Sequence, residues 1–365
     1  MDGLKNELKF SLPGEWEQQA AIWLAFPHND YWLGIDFDKN LFHSGLAAIQ
    51  DFYFKLIDIC LDFQNVKLIF NDESLMMSVI DKLASFSNEK FKLESLVIAN
   101  NDVWIRDYGP IFLYQSLVPD SQNKSVNLEN SKKVIADFVF NAYGGKFPPF
   151  DKDNAVPGAI ALNQALPFHA YFQILEGGAI DYSSDSKLIT TRECVLNSNR
   201  NQDFTEYEFE LMVEDALGVE EVLWLDQGLA NDHTDGHVDN TARFIANNKI
   251  LLSCTENQQS LNYSISQKNY KQLLRYKDKF PELEIIKMPI PEPEGFLESE
   301  LAYSYVNFIF LNGAIVVPTY NCEQDSLALE IFQELFPERK VIGLDSSLLI
   351  QEGGSLHCIS KQEIL

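Results

Sequence analysis

Segments with apolar groups at helical spacing alternate along this chain with short β-rich runs, and few architectures accommodate that order. LFHSGLAAIQDFYFKLIDICLDF (41–63) has helical periodicity, and VKLIF (66–70) follows as a strand. The pairing recurs with 73–86 before ESLVIA (94–99), TEYEFELMVEDAL (205–217) before EVLWL (221–225), 264–279 before LEIIKMP (283–289), and 324–336 before KVIGL (340–344). Gly218 and Pro337 supply helix stops. Such helix-then-strand units, about five of them, favour a repeated α/β architecture over segregated domains. No composition shift marks a domain boundary, so residues 1–365 are expected to form one domain. The polar stretch 116–133 reads as an exposed loop or hairpin excursion. KFPPFDKDNAVPG (146–158) is expected to be irregular. A faint echo links ILEGGAIDY (174–182) to LIQEGGSLHC (349–358).

With 46% hydrophobic residues the chain can bury a large core. Its net charge of -26 repels phosphate backbones and anionic lipid, which argues against nucleic acid and membrane partners, and it attracts cations. The N-terminus lacks the apolar core of a signal peptide, and no run is long enough for a membrane span. A cytoplasmic protein is expected. The five cysteines are scattered and form no CxxC pair, which predicts free thiols, most of them buried. Phosphate-loop, dinucleotide and serine-elbow signatures are missing.

Candidate chemistry lies in four segments. In DHTDGHVDN (232–240), His237 and Asp239 are one residue apart and would share a face on a strand. A lone pair of this kind is ordinarily structural; beside a nucleophile it becomes a proton carrier. His233 and His237 have the helical spacing of zinc ligands, but Thr234 stands where the metalloprotease motif needs Glu, and Gly236 weakens a helix. In NDVWIRDYGPIFL (101–113), Asp107 is either a turn carboxylate paired with Arg106 or a pocket group beside an apolar wall at Trp104. Glu176, at a strand–loop edge, would by itself be solvated. Cys358 follows His357. Neighbours on a strand point to opposite faces, so His357 is expected to pack or face solvent, leaving His237 as the base for a cysteine nucleophile.

WIRD (104–107), EGG (176–178), HVD (237–239) and a Gly-Gly loop ending in Cys358 occur together in that order. With them come EWEQQAAIWLAFPHN (15–29), FNAYGGKFPPFDKDNAVPG (140–158), LNSNRN (196–201) and TDGHVDNTARF (234–244). Over nearly its full length the chain resembles the agmatine deiminase and bacterial-type peptidylarginine deiminase family of the guanidino-group-modifying, or pentein, superfamily. The resemblance implies a five-bladed α/β propeller with a pseudo-fivefold axis. It implies that Asp107 and Asp239 hold the guanidinium nitrogens, Glu176 orients His237, and Cys358 attacks. Trp104, Asp235, Gly353 and Gly354 would complete the substrate site. It further implies conversion of agmatine to N-carbamoylputrescine and ammonia through a thiouronium intermediate, as in putrescine and polyamine biosynthesis, with no metal or organic cofactor. A homo-oligomer is compatible with it. Two positions depart from the family pattern: Glu352, where relatives often carry Gly, and Tyr108, where stricter agmatine deiminases often carry Thr.

The chemistry needs these groups. A guanidinium is a flat cation whose nitrogens match carboxylates through paired hydrogen bonds. Two carboxylates can hold it and partly cancel its charge in a poorly hydrated pocket. The bound cation in turn favours thiolate. Three alternatives stay open: deimination of free or peptidyl arginine, with Arg243 a candidate partner for a substrate carboxylate; amidino transfer to an amine; and a non-catalytic protein that binds a cationic ligand.

Overall fold

The computed structural model describes residues 6–29, 42–86, 90–119, 131–298 and 301–365. The expected helix-then-strand units are present: Phe42–Leu61 before Asn65–Phe70, Glu73–Ala84 before Leu93–Val97, Glu206–Leu217 before Glu221–Leu225, Asn262–Tyr276 before Glu284–Pro289, and Gln324–Leu335 before Lys340–Asp345. Local chemistry fixes their ends. Thr205 and Glu208 form a reciprocal capping box, and Gly218 closes the same helix at φ 71°. The Asp72 carboxylate accepts from Leu75 N at the start of Glu73–Ala84. Ile49, Phe52, Tyr53, Leu56, Ile57 and Cys60 bury one stripe of the first helix.

One segment differs from expectation and another agrees with it. The stretch 146–158 ends in a 3-10 turn, Asp153–Ala155, and the first turn of a helix, Val156–Asn163, because Pro157 fits the first helical turn. The 116–133 excursion joins two antiparallel strands, Ile111–Pro119 and Lys132–Val139; residues 120–130 lie outside the described residues, as do 1–5 of the N-terminal reading. No helix among the described residues is long and apolar enough to cross a membrane.

The described strands form five sheets in a mixed α/β fold. Each sheet contains one repeated unit: a strand, an antiparallel partner, a helix, then a parallel strand. Ile111–Pro119, Lys132–Val139, Val156–Asn163 and Phe168–Ile174 make one unit. Ile180–Tyr182, Lys187–Thr191 and Glu221–Leu225 make the next. Ala242–Ala246, Lys249–Cys254 and Glu284–Pro289 follow, then Ile309–Leu311, Ala314–Thr319 and Lys340–Asp345. The remaining unit joins the two ends of the chain. The C-terminal strand Ser360–Ile364 runs antiparallel to Gln19–Ala25, which is parallel to Asn65–Phe70. The turn entering the first strand of each unit carries, in chain order, Asp107, Glu176 to Gly178, His237 to Asp239, Asn307 and Cys358.

Candidate active site

These five turns touch one another in a closed ring. Gly178 N donates to Asp107 Oδ1 at 2.9 Å. A Cβ on Gly178 would lie 2.7 Å from His237 Nδ1, which places the second turn against the third. Asn307 Nδ2 donates to Asn240 Oδ1 at 2.9 Å and to Cys358 Sγ at 3.2 Å, linking the third, fourth and fifth. Arg106 N donates to Cys358 O at 3.1 Å and closes the circle.

The ring brings together all five expected reacting groups. Cys358 Sγ is 3.6 Å from Asp239 Oδ2, and His237 Nδ1 is 3.6 Å from Asp107 Oδ1. Donor atoms of Glu176 and His237 lie within 4.8 Å of each other. All five residues are buried. Both ring nitrogens of His237 and Oδ1 of Asp239 are buried without a hydrogen-bond partner. Buried polar atoms are ordinarily paired, so these three mark a place where a hydrogen-bonding ligand would fit.

Supporting contacts explain how the acids are held. Tyr143 sits in the left-handed region at φ 59° and donates its hydroxyl to Asp107 Oδ2 at 2.9 Å, with its ring 5.8 Å from that of His237. Arg200 pairs with Glu176 at 2.6 Å and with Asp235 at 2.5 Å. Asp235 also binds Asn199 and Lys146. Its carboxylate is thus occupied by neighbours. Trp104, half-buried, packs against Gly354, where a Cβ would lie 2.3 Å from the indole. Gly353 ends the 3-10 turn Leu349–Glu352 and abuts His233.

Several local expectations need correction. His237 and Asp239 do not share a strand face. His237 precedes a 3-10 turn, Val238–Asn240, whose tight winding also brings both side chains to the ring. Glu176 is buried, not solvated, because Arg200 neutralises it. His357 does not face solvent. Its Nδ1 meets Asp239 Oδ2 at 2.8 Å and its Nε2 meets Glu15 at 3.1 Å. Glu15 pairs in turn with Arg106 and Arg243, and Arg243 with Asp181. Tyr108 turns away from Asp107 into the core and donates to Asp102 O.

Burial dominates the electrostatics. It pushes the Asp107 carboxyl up to about 7, with Glu176 adding to the shift and the Tyr143 hydroxyl opposing it. Burial, then Asp107 and Asp232, hold Asp239 well above the carboxylate range. Burial, then Asp239 and Asp107, raise the Cys358 thiol. Burial, then Arg200, hold His237 well below the ordinary imidazole value. Neutral forms are therefore favoured throughout, and a cation placed among them reverses the balance for acids and thiol alike.

Glu176 and His237, with Cys194, could offer three donors to a metal ion. Arg200 already sits on Glu176, and its guanidinium would repel a dication there. Asn307, Tyr143, Arg200, Glu15 and His357 had no chemistry assigned from sequence. Tyr143, Arg200 and Glu15 lie inside FNAYGGK, LNSNRN and EWEQQ, so their segments were visible although their roles were not.

A family model described as Porphyromonas-type peptidyl-arginine deiminase matches residues 11–363. Agmatine deiminase of Pseudomonas syringae pv. syringae is 31% identical, over 97% of this chain and 95% of the relative. That of Ectopseudomonas mendocina is 30% identical with the same coverage. Among solved structures, a Cys-to-Ser variant of C. jejuni agmatine deiminase with substrate bound superposes with a TM-score of 0.83 at 28% identity, covering 100% of this chain and 98% of that one. The agmatine deiminase of Enterococcus faecalis gives a TM-score of 0.80 at 26% identity, covering 97% and 96%.

Proposed function

This chain belongs to the Porphyromonas-type peptidyl-arginine deiminase family, and on that footing we propose that it hydrolyses agmatine to N-carbamoylputrescine and ammonia with Cys358 as nucleophile. The observation that carries the reading is the closed ring of five turns, which sets a thiol, an imidazole and three carboxyl groups around one buried spot. We read the five sheets as blades around a pseudo-fivefold axis, with the whole chain as one catalytic domain.

Asp107 and Asp239 receive the guanidinium nitrogens and ionise as the cation arrives. The same cation draws the Cys358 thiol toward thiolate, and the thiol proton passes to His237. Sγ then attacks the guanidinium carbon, and His237 protonates the leaving nitrogen, which departs as ammonia. A thiouronium joins substrate and enzyme. Neutral His237 takes one proton from water as its oxygen bonds to that carbon, the C–S bond breaks to return the thiolate, and the ureido product leaves as the second water proton passes to the released ammonia. Glu176, held by Arg200, stands beside His237 with no hydrogen bond to its ring. Trp104 and Gly354 wall the approach.

Ammonia and ureido product are measured from agmatine with the wild type and with Cys358→Ser. The serine variant is expected to lose about 10⁴-fold or more in kcat while still binding agmatine. Turnover near wild type in that variant would overturn the mechanism.

A further inference from the structure

Four of the five turns carry residues that the family motifs point to; the fifth, SYVNF at 304–308, carries Asn307, to which no motif gives a role. Asn307 is fully buried and its amide has a defined direction. His357 N can only donate, and it reaches Asn307 Oδ1 at 2.9 Å. Asn240 Nδ2 donates to the Asp232 carboxylate at 3.1 Å, so the other end of that amide, Oδ1, faces Asn307 Nδ2 at 2.9 Å. The polarity of both amides is thus set by neighbours that admit one orientation. One proton of Asn307 Nδ2 is given to Asn240, and the second points at Cys358 Sγ, 3.2 Å away.

We propose that Asn307 is a further catalytic residue of the deimination site, whose Nδ2–H donates to the Cys358 sulfur and holds it as thiolate for attack on a guanidinium carbon. The proposal rests on the reading that Cys358 is the nucleophile. A donor aimed at sulfur favours the charged form of the thiol. The acids nearest that sulfur pull the other way, since Asp239 and Asp107 oppose ionisation, and the neighbouring phenols of Tyr143 and Tyr320 are neutral. The Ser355 backbone also favours thiolate. Asn307 is a side-chain counterweight to two acids that the substrate requires but that disfavour the thiolate. Its second bond, to His357 N, fixes the backbone that presents Cys358.

Asn307→Asp keeps the shape and the acceptor for His357 N but replaces the donor to sulfur with an oxygen. Asn307→Ala removes both. Thiol ionisation is read from the pH dependence of iodoacetamide alkylation and of thiolate ultraviolet absorbance, each corrected with Cys358→Ser. In both variants the alkylation midpoint is expected to move up by about one unit, so alkylation at neutral pH slows about tenfold. The value of kcat falls tenfold or more with KM little changed. Midpoints within about 0.3 unit of wild type in folded variants overturn the proposal, whatever happens to kcat, because a purely structural role leaves the thiol titration unmoved. The Asn307→Ala midpoint decides, because the new carboxylate of Asn307→Asp raises the thiol by its own charge, and Asn307→Leu takes its place where the alanine variant does not fold. Failure of the nucleophile assignment is seen separately, as turnover surviving Cys358→Ser.

Discussion

Asp239 Oδ2 lies 2.8 Å from His357 Nδ1, so the imidazole beside the nucleophile in sequence serves the carboxylate that faces it across the ring. On its far side His357 meets Glu15, which is locked between Arg106 and Arg243. The substrate acid is thus tied to a buried ion network through one ring. His357→Ala would leave Asp239 and Glu15 each short of a buried partner, at a cost of about 2–4 kcal/mol in unfolding free energy. Chemical denaturation is expected to show that loss. The value of KM for agmatine is expected to rise about tenfold or more, because Asp239 is no longer aimed. A variant with wild-type stability and KM would show that His357 does not position Asp239.

Gly178 occupies the crossing point of three functional groups. A Cβ there would stand 2.6 Å from Asp107 Oδ1, 2.7 Å from His237 Nδ1 and 3.0 Å from Asp239 Oδ2. None of the three can withdraw without leaving the ring. Gly178→Ala is expected to cost about 1–3 kcal/mol in stability by overpacking and about 100-fold or more in kcat/KM. Steady-state kinetics beside thermal unfolding check both numbers, and a fully active alanine variant would show that the three groups do not close on one spot.

The α/β alternation was legible in the sequence because amphipathic helices announce themselves by period. Yet two of the units so read share one sheet, that of Asn65–Phe70 and Leu93–Val97, and Val156–Asn163 before Phe168–Ile174 escaped that reading. The segments that carry the acids and thiol stand out because their motifs occur in one order. The register of the repeat was not legible. The echo of EGG at 176–178 with EGG at 352–354 pairs residues that are not counterparts. Counted back from the first strand of each unit, Gly178, Asn307 and Cys358 each lie two residues before it, at Ile180, Ile309 and Ser360. Asn307 stayed hidden because SYVNFIF reads as a plain apolar strand with one polar interruption. His357 packs, as one of its two expected alternatives has it, but the alternation rule gives no hint of its partners, because 356–359 is a turn and not a strand.

Substrate binding should release protons. The Asp107 carboxyl is raised to about 7 from an ordinary value near 4, and Asp239 is raised in the same direction. A carboxyl raised in the fold stabilises the folded chain most at low pH, and that contribution is lost as pH climbs through the folded value. A guanidinium reverses the preference, so its binding competes with protons on Asp107. In Cys358→Ser, agmatine affinity is expected to strengthen by about tenfold per unit between pH 5 and 7 for one displaced proton, then level off. Calorimetry in buffers of different ionisation enthalpy would count that proton. A Kd flat across this range would mean that Asp107 does not bind the cation.

The arginines around the site favour agmatine over arginine as the substrate. Arginine differs from agmatine by an α-carboxylate, which needs a cationic partner once it leaves water. Arg243 is fully buried between Glu15 and Asp181, Arg106 is held by Glu15 and Gln362, and Arg200 is spent on Glu176 and Asp235. Lys146 is paired with Asp235. Each of these charges compensates an acid of the chain itself, and diverting one to the substrate would strand a carboxylate that is mostly buried. An ammonium meets no such obstacle in a chain of net charge -26. The value of kcat/KM for agmatine is therefore expected to exceed that for arginine by about 100-fold or more, a difference of about 3 kcal/mol. Ammonia release from agmatine, arginine and an arginyl peptide measures it. Equal turnover of agmatine and arginine would require that one of these pairs opens to receive the carboxylate, and replacing Arg243 with Met would then abolish the arginine reaction selectively.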